Sequence, residues 1–167
     1  MEYFELIQKR YSVRSYKSDP IEDEKLQKIL EAARLAPTAA NRQAFKVVVI
    51  HTRGREEQLK KIYGRDWFVQ APMVVGIFSI PRKNWVRSDG RNYSDVDAAI
   101  VADHIILAAT ELGLGTCWIG AFNAAEAREV VGLGEGFEPV VFIPLGYPES
   151  PGPQKVRKSL DELVVYI

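Results

Sequence analysis

A single cysteine, two histidines and no surplus of either charge deny this 167-residue chain several kinds of chemistry. One thiol, Cys117, cannot close an internal disulfide. His51 and His104 lie far apart, and no cluster has metal-ligand spacing. The 22 basic and 22 acidic side chains cancel without forming blocks. A general nucleic-acid or membrane-surface role needs a concentrated basic face, and none is present. No apolar run reaches the roughly 18 residues of a membrane span, and the first residues carry no charged-then-apolar signal. A soluble, cytoplasmic protein is expected.

Familiar ligand loops are missing too. Gly113 and Gly115 are followed by no third glycine at G-x-G-x-x-G spacing. Gly132, Gly134 and Gly136 alternate, but between an expected helix and an expected strand, which makes them a loop. Neither G-x-x-x-x-G-K-[ST] nor G-x-S-x-G occurs. His51 ends an expected strand and His104 lies in an apolar helix, so both read as structural. Cys117 sits in a buried-type strand without a nearby histidine and reads as a core thiol. If such a chain is an enzyme, its chemistry is expected to come from a bound cofactor.

What is present is a regular alternation of elements. The length fits one domain, 1–167, with no internal boundary or repeat. Residues 2–9 suit a short helix with Phe4 and Ile7 inward. Leu26, Ile29, Leu30 and Ala33 form one stripe of a helix over 22–35, which Pro37 stops. FKVVVIH (45–51) and APMVVGIFSI (71–80) are buried-type strands flanking a helix at 55–63. Residues 81–95 form a long polar loop whose Trp85 and Tyr93 suit covering a ligand or packing on a neighbour equally well.

Ser94 and Asp97 have capping-box spacing and open a helix to about residue 112. Few of its faces are polar, which suits the core or a subunit interface. Residues 112–122 end that helix at Gly113 and continue as a short strand. Asn123 and Glu126 start a helix to about 131, and 137–148 is a last strong strand. The tail from 149 is Pro-rich, then basic, and ends in VVYI, suited to pairing with the sheet of a second subunit. Buried-type strands separated by helices point to an α/β or α+β sandwich with a covered sheet. In KRYSVRSY (9–16), three basic residues fall within six positions. Alone, that is a solvated face or half of an anion clamp.

Four stretches, in this order, resemble the nitroreductase family of FMN-dependent oxidoreductases: RYSVR (10–14), APTAANRQ (36–43), GLGTCWIGAF (113–122), and KVRK (155–158) behind PLGYP (144–148). Together they cover essentially the whole chain. The resemblance implies a nitroreductase-like α+β fold, a central, mostly antiparallel sheet covered by helices, in an intertwined homodimer with FMN at the interface. Arg10, Tyr11, Ser12 and Arg14 would then line the phosphate and ring edge, with Arg10 as the cation near the pyrimidine edge. Lys155 and Arg157 would close on the phosphate from the other end of the chain.

By the same resemblance, Pro37, Thr38, Ala39 and Asn41 would contact the flavin from the partner subunit, and Gln43 would hold the loop or touch the ring. Thr38 stands where the family commonly has serine. Gly120 and Ala121 would aim backbone N–H groups at N5 and O4, with Trp118 and Ile119 packing on the ring. The implied activity is ping-pong hydride transfer from NAD(P)H through flavin N5 to a nitroaromatic, quinone or similar small acceptor, with no protein acid or base assigned. Open alternatives are an FMN-binding storage or sensor protein without reductase turnover, and a flavin-dependent dehalogenating or flavin-cleaving relative. Without the resemblance, TCWIG is only a core strand and APTAANRQ only a helix-ending turn.

Overall fold

The computed structural model of the chain describes residues 2–167. β-branched and aromatic runs form the strands β1 (Phe45–His51), β2 (Met73–Ser79) and β4 (Glu138–Gly146), joined by the two-residue β3 (Gly115–Thr116). They pair antiparallel in the order β1-β2-β4-β3. Strand alternation sends Val75, Ile77, Val141, Ile143 and Leu145 to one face and Val74, Phe78 and Phe142 to the other.

Helices α1 (Tyr3–Lys9), α2 (Asp23–Leu35) and α4 (Ser94–Glu111) stack on the first face, with α4 innermost. Its Ala98, Val101, Ala102, Ile105 and Ala109 are fully buried. Helices α3 (Glu56–Ile62) and α5 (Ala124–Val131) cover the second face. The architecture is therefore α+β, with an antiparallel sheet between helical layers. No helix among the described residues is long and apolar enough to cross a membrane.

Several expectations need correction. β1 is an edge strand, and Val47, Val48 and Val49 are only half-buried, so this apolar strand leaves one hydrogen-bonding edge open. Phe4 does not point inward: it is 74% exposed and packs edge-to-face on exposed Tyr3, because α1 meets α4 through its other side. Residues 81–95, expected as one long loop, contain local structure. A short 3₁₀ turn (Pro81–Lys83) leads into a hairpin closed at Val86 and Asn92, with Trp85 and Tyr93 edge-to-face at 5.0 Å.

The Ser94/Asp97 capping box does not form. Asn92 Oδ1 accepts from both the N–H and the hydroxyl of Ser94, which frees Asp97 for another partner. The capping expected of Asn123 does occur, its side chain accepting from Ala125 and Glu126 N–H. A capping box appears instead at Ser159 and Glu162, opening the short α6 (Leu160–Leu163). Beyond α6, VVYI is exposed and pairs with no strand among the described residues.

Candidate functional site

After α1 the chain runs extended beside β3. Val13 N–H donates to Thr116 O at 2.8 Å, and Lys17 N–H to Tyr147 O at 2.9 Å. Val13 is driven into the core, so Ser12 and Arg14 face outward on the opposite side. This close seating explains Gly115: a Cβ there would stand 2.6 Å from Val13 Cγ2.

The tail returns to the same place. Glu149 N–H donates to Ser15 O, and the Tyr11 hydroxyl donates to Ser150 O. Gly152, between two prolines, passes so close to the Tyr11 ring that a Cβ would lie 2.4 Å from its Cγ. Lys155 then donates to the carbonyl of Ile7 in the last turn of α1, where a cation suits the helix end. The result is a groove of about 330 Å³ lined by Arg10, Tyr11, Ser12, Gln154, Lys155 and Arg157.

The two basic clusters therefore converge, although about 145 positions separate them in the chain. None of Arg10, Lys155 and Arg157 has a carboxylate within ion-pair distance among the described residues. Loss of solvation, then Arg10 and Arg157, holds the Lys155 ammonium below its ordinary range. An anion bound among the three cations would offset both effects on Lys155. Arg14 stands apart, its guanidinium 5.9 Å from the Trp67 ring. Behind the motif, burial pushes the Cys117 thiol up against the opposing pull of Arg14, Ser12 and Arg10, so it stays protonated. His104 Nδ1 is occupied by Ile100 O at 2.9 Å.

Past β3 the chain keeps its alternation. Trp118 is 42% exposed, and Gly120 and Ala121 are also exposed. Neither the Gly120 nor the Ala121 N–H donates to another described residue. Ile119 differs from expectation: it exchanges backbone hydrogen bonds with Phe142, and its side chain lies in the core beside Cys117 and Phe142. Its side chain is therefore turned away from the exposed face of Trp118 and Gly120. Thr116 bridges to Ser12, which lines the groove, and the chain from Thr116 to Gly120 spans about 13 Å when extended.

Residues 37–43 are elsewhere. They precede β1 at the far end of the sheet, beside the first turn of α4. The RYSVR segment lies by the last turn of that helix, about 20 Å away along its axis. Within one chain the second motif does not meet the others. Ala40, Asn41 and Gln43 have left-handed φ near 50°. Thr38 Oγ1 accepts from Gln43 N–H, and Asn41 and Gln43 are exposed.

Sequence reasoning overlooked two residues. Asp97, taken for a cap, binds the 37–43 loop; the available signal was a carboxylate at i, i+4 and i+8 spacing with the buried Val101 and Ile105. Gly152, which lets the tail lie on Tyr11, was visible only as Pro-Gly-Pro.

The nitroreductase family model matches residues 7–68 and 60–147. A nitroreductase family protein of Clostridium difficile 630 has a solved structure that superposes with a TM-score of 0.90 at 37% identity, covering 99% of this chain and 98% of that one. A protein of Archaeoglobus fulgidus, provisionally named NADH dehydrogenase/NAD(P)H nitroreductase, is 33% identical over 163 residues, 89% of this chain and 87% of its own. A structure described as an FMN-dependent nitroreductase, from Clostridium difficile R20291, superposes with a TM-score of 0.81 at 29% identity, covering 97% of this chain and 96% of that one.

Proposed function

The chain belongs to the nitroreductase family, and from that premise we propose that it is an NAD(P)H-dependent oxidoreductase that holds FMN at the interface of a homodimer and reduces small acceptors such as nitroaromatics or quinones. The observation that carries this reading is the carboxylate-free groove where Arg10, Lys155 and Arg157 converge. Three cations around one concavity suit a dianionic phosphate, and the Arg forks add directed, paired hydrogen bonds.

The residues present fit FMN. Arg10, Ser12, Lys155 and Arg157 would hold the phosphate and the adjoining polar chain, with Arg14 at the margin beside Trp67. The N–H groups of Gly120 and Ala121, which donate to no described residue, would serve the ring as donors that need no reorganisation. Trp118, exposed beside them, offers an apolar surface to the same ring. When bound, FMN would supply the two-electron chemistry that links a reduced nicotinamide donor to a small oxidant, in the ping-pong order proposed here. The chain contributes binding, orientation and a polarising environment, and no side chain is assigned as acid or base.

Residues 37–43 lie too far along α4 to reach their own chain's groove, which supports their action on the partner's cofactor. The open edge of β1 and the unpaired VVYI tail support a second copy as the neighbour that completes both.

Anaerobic titration of the purified protein with NADPH and then NADH, followed by flavin absorbance, tests the reading. Stoichiometric bleaching that a quinone or nitro compound reverses is the expected result. A yellow protein that neither donor bleaches would be a flavin carrier or sensor. A colourless protein that takes up no added FMN would end the flavin reading altogether.

A further inference from the structure

Asp97 is 2% exposed in the first turn of α4. Because Asn92 takes both donors of Ser94, the Asp97 carboxylate is not used as a cap. Its Oδ1 accepts the N–H of Ala39 at 2.9 Å, while its Oδ2 is buried with no partner. The loop it grips is strained, since Ala40, Asn41 and Gln43 all have φ between 50° and 52°. Left-handed backbone is disfavoured at residues bearing a Cβ, least so at asparagine, and at Ala40 and Gln43 it persists only where the surroundings over-determine it.

The other hydrogen bonds made by residues 37–43 are local: Gln43 N–H to Thr38 Oγ1, Asn41 N–H to Thr38 O, Arg42 N–H to Ala39 O, Gln43 Nε2 to Asn41 O, and Phe45 N–H to Gln43 O. They tie the loop to itself and to the residue that opens β1. Among the described residues, Asp97 is the only distant hydrogen-bond partner of this loop. We infer that Asp97 is a positioning residue: through Ala39 it anchors the strained 37–43 loop to the rigid central helix and so presents Thr38 and Asn41 to the cofactor. The inference rests on the flavin reading of that loop. The idle Oδ2 means that the bond to Ala39, rather than a second contact, carries the role, so an asparagine that keeps Oδ1 should serve nearly as well.

The test compares Asp97→Ala and Asp97→Asn with the wild type in three measurements: FMN affinity by flavin fluorescence, amide exchange of the peptide covering 37–44 in the apoprotein, and thermal melting. In Asp97→Ala, FMN affinity should fall about tenfold and exchange of that peptide should rise about tenfold, with exchange in β2 and β4 unchanged. Asp97→Asn should stay within about threefold of wild type on both counts. Unchanged exchange and unchanged FMN affinity in Asp97→Ala would overturn the role. If that variant does not fold, Asp97→Asn decides: a folded Asn variant that loses about tenfold in FMN affinity shows that charge, not the bond to Ala39, matters. Failure of the flavin reading is distinguishable, because the wild type itself would then bind no FMN.

Discussion

Single residues decide whether the groove is a binding site or a charged surface. Arg10 and Arg157 come from opposite ends of the chain and have no acidic partner among the described residues, so little besides a bound anion favours holding them together. Charge-assisted hydrogen bonds contribute roughly 1.5–3 kcal/mol each. Arg10→Ala combined with Arg157→Ala should therefore weaken FMN binding by about a hundredfold or more, while thermal stability of the apoprotein stays level or rises as repulsion on Lys155 is relieved. Equilibrium dialysis against FMN checks the first part and calorimetry the second. Undiminished flavin affinity would mean that the cations are only a solvated face.

Among the elements, the tail and β1 have unsatisfied requirements. β1 offers an apolar strand with one open edge, and the chain ends in Val164, Val165, Tyr166 and Ile167, with Tyr166 93% exposed. A β-rich apolar segment left in water is a liability unless something covers it. In the proposed homodimer, deleting residues 159–167 should release monomer or aggregate, read by sedimentation velocity. A stable dimer without the tail would show that other surfaces, such as exposed Tyr3 and Phe4, carry the association. The groove would survive that deletion, because Lys155 and Arg157 precede the cut.

For the whole molecule, the question is whether a complete site needs two chains. The groove and the 37–43 loop lie at opposite ends of α4, about 20 Å apart. One chain cannot bring them together without breaking its core. Mixing subunits carrying Arg10→Ala/Arg157→Ala with subunits carrying Asn41→Ala, under conditions that allow exchange, should restore tight flavin binding at about a quarter of the sites. Half of the dimers would then be mixed, each with one intact site. No restoration after verified exchange would place both motifs on the same chain's cofactor.

The sequence by itself determined the main helices and strands. Apolar periodicity over 23–35 and β-branched runs at 45–51 and 73–79 act locally, through side-chain burial and backbone preference, and these segments fold as expected. The paired basic clusters and the four motifs were legible too, because their residue types already state their chemistry. Only the tertiary structure decided who meets whom. It put β1 at an edge, sent Ile119 into the core, turned Arg14 onto Trp67, and seated Gly152 under Tyr11. It also gave Asp97 to Ala39 rather than to its own helix end. A cap and a long-range anchor look the same in sequence, since the choice depends on which N–H the folded backbone brings within 3 Å of the carboxylate. That competition is settled by packing across the molecule, which no local pattern encodes.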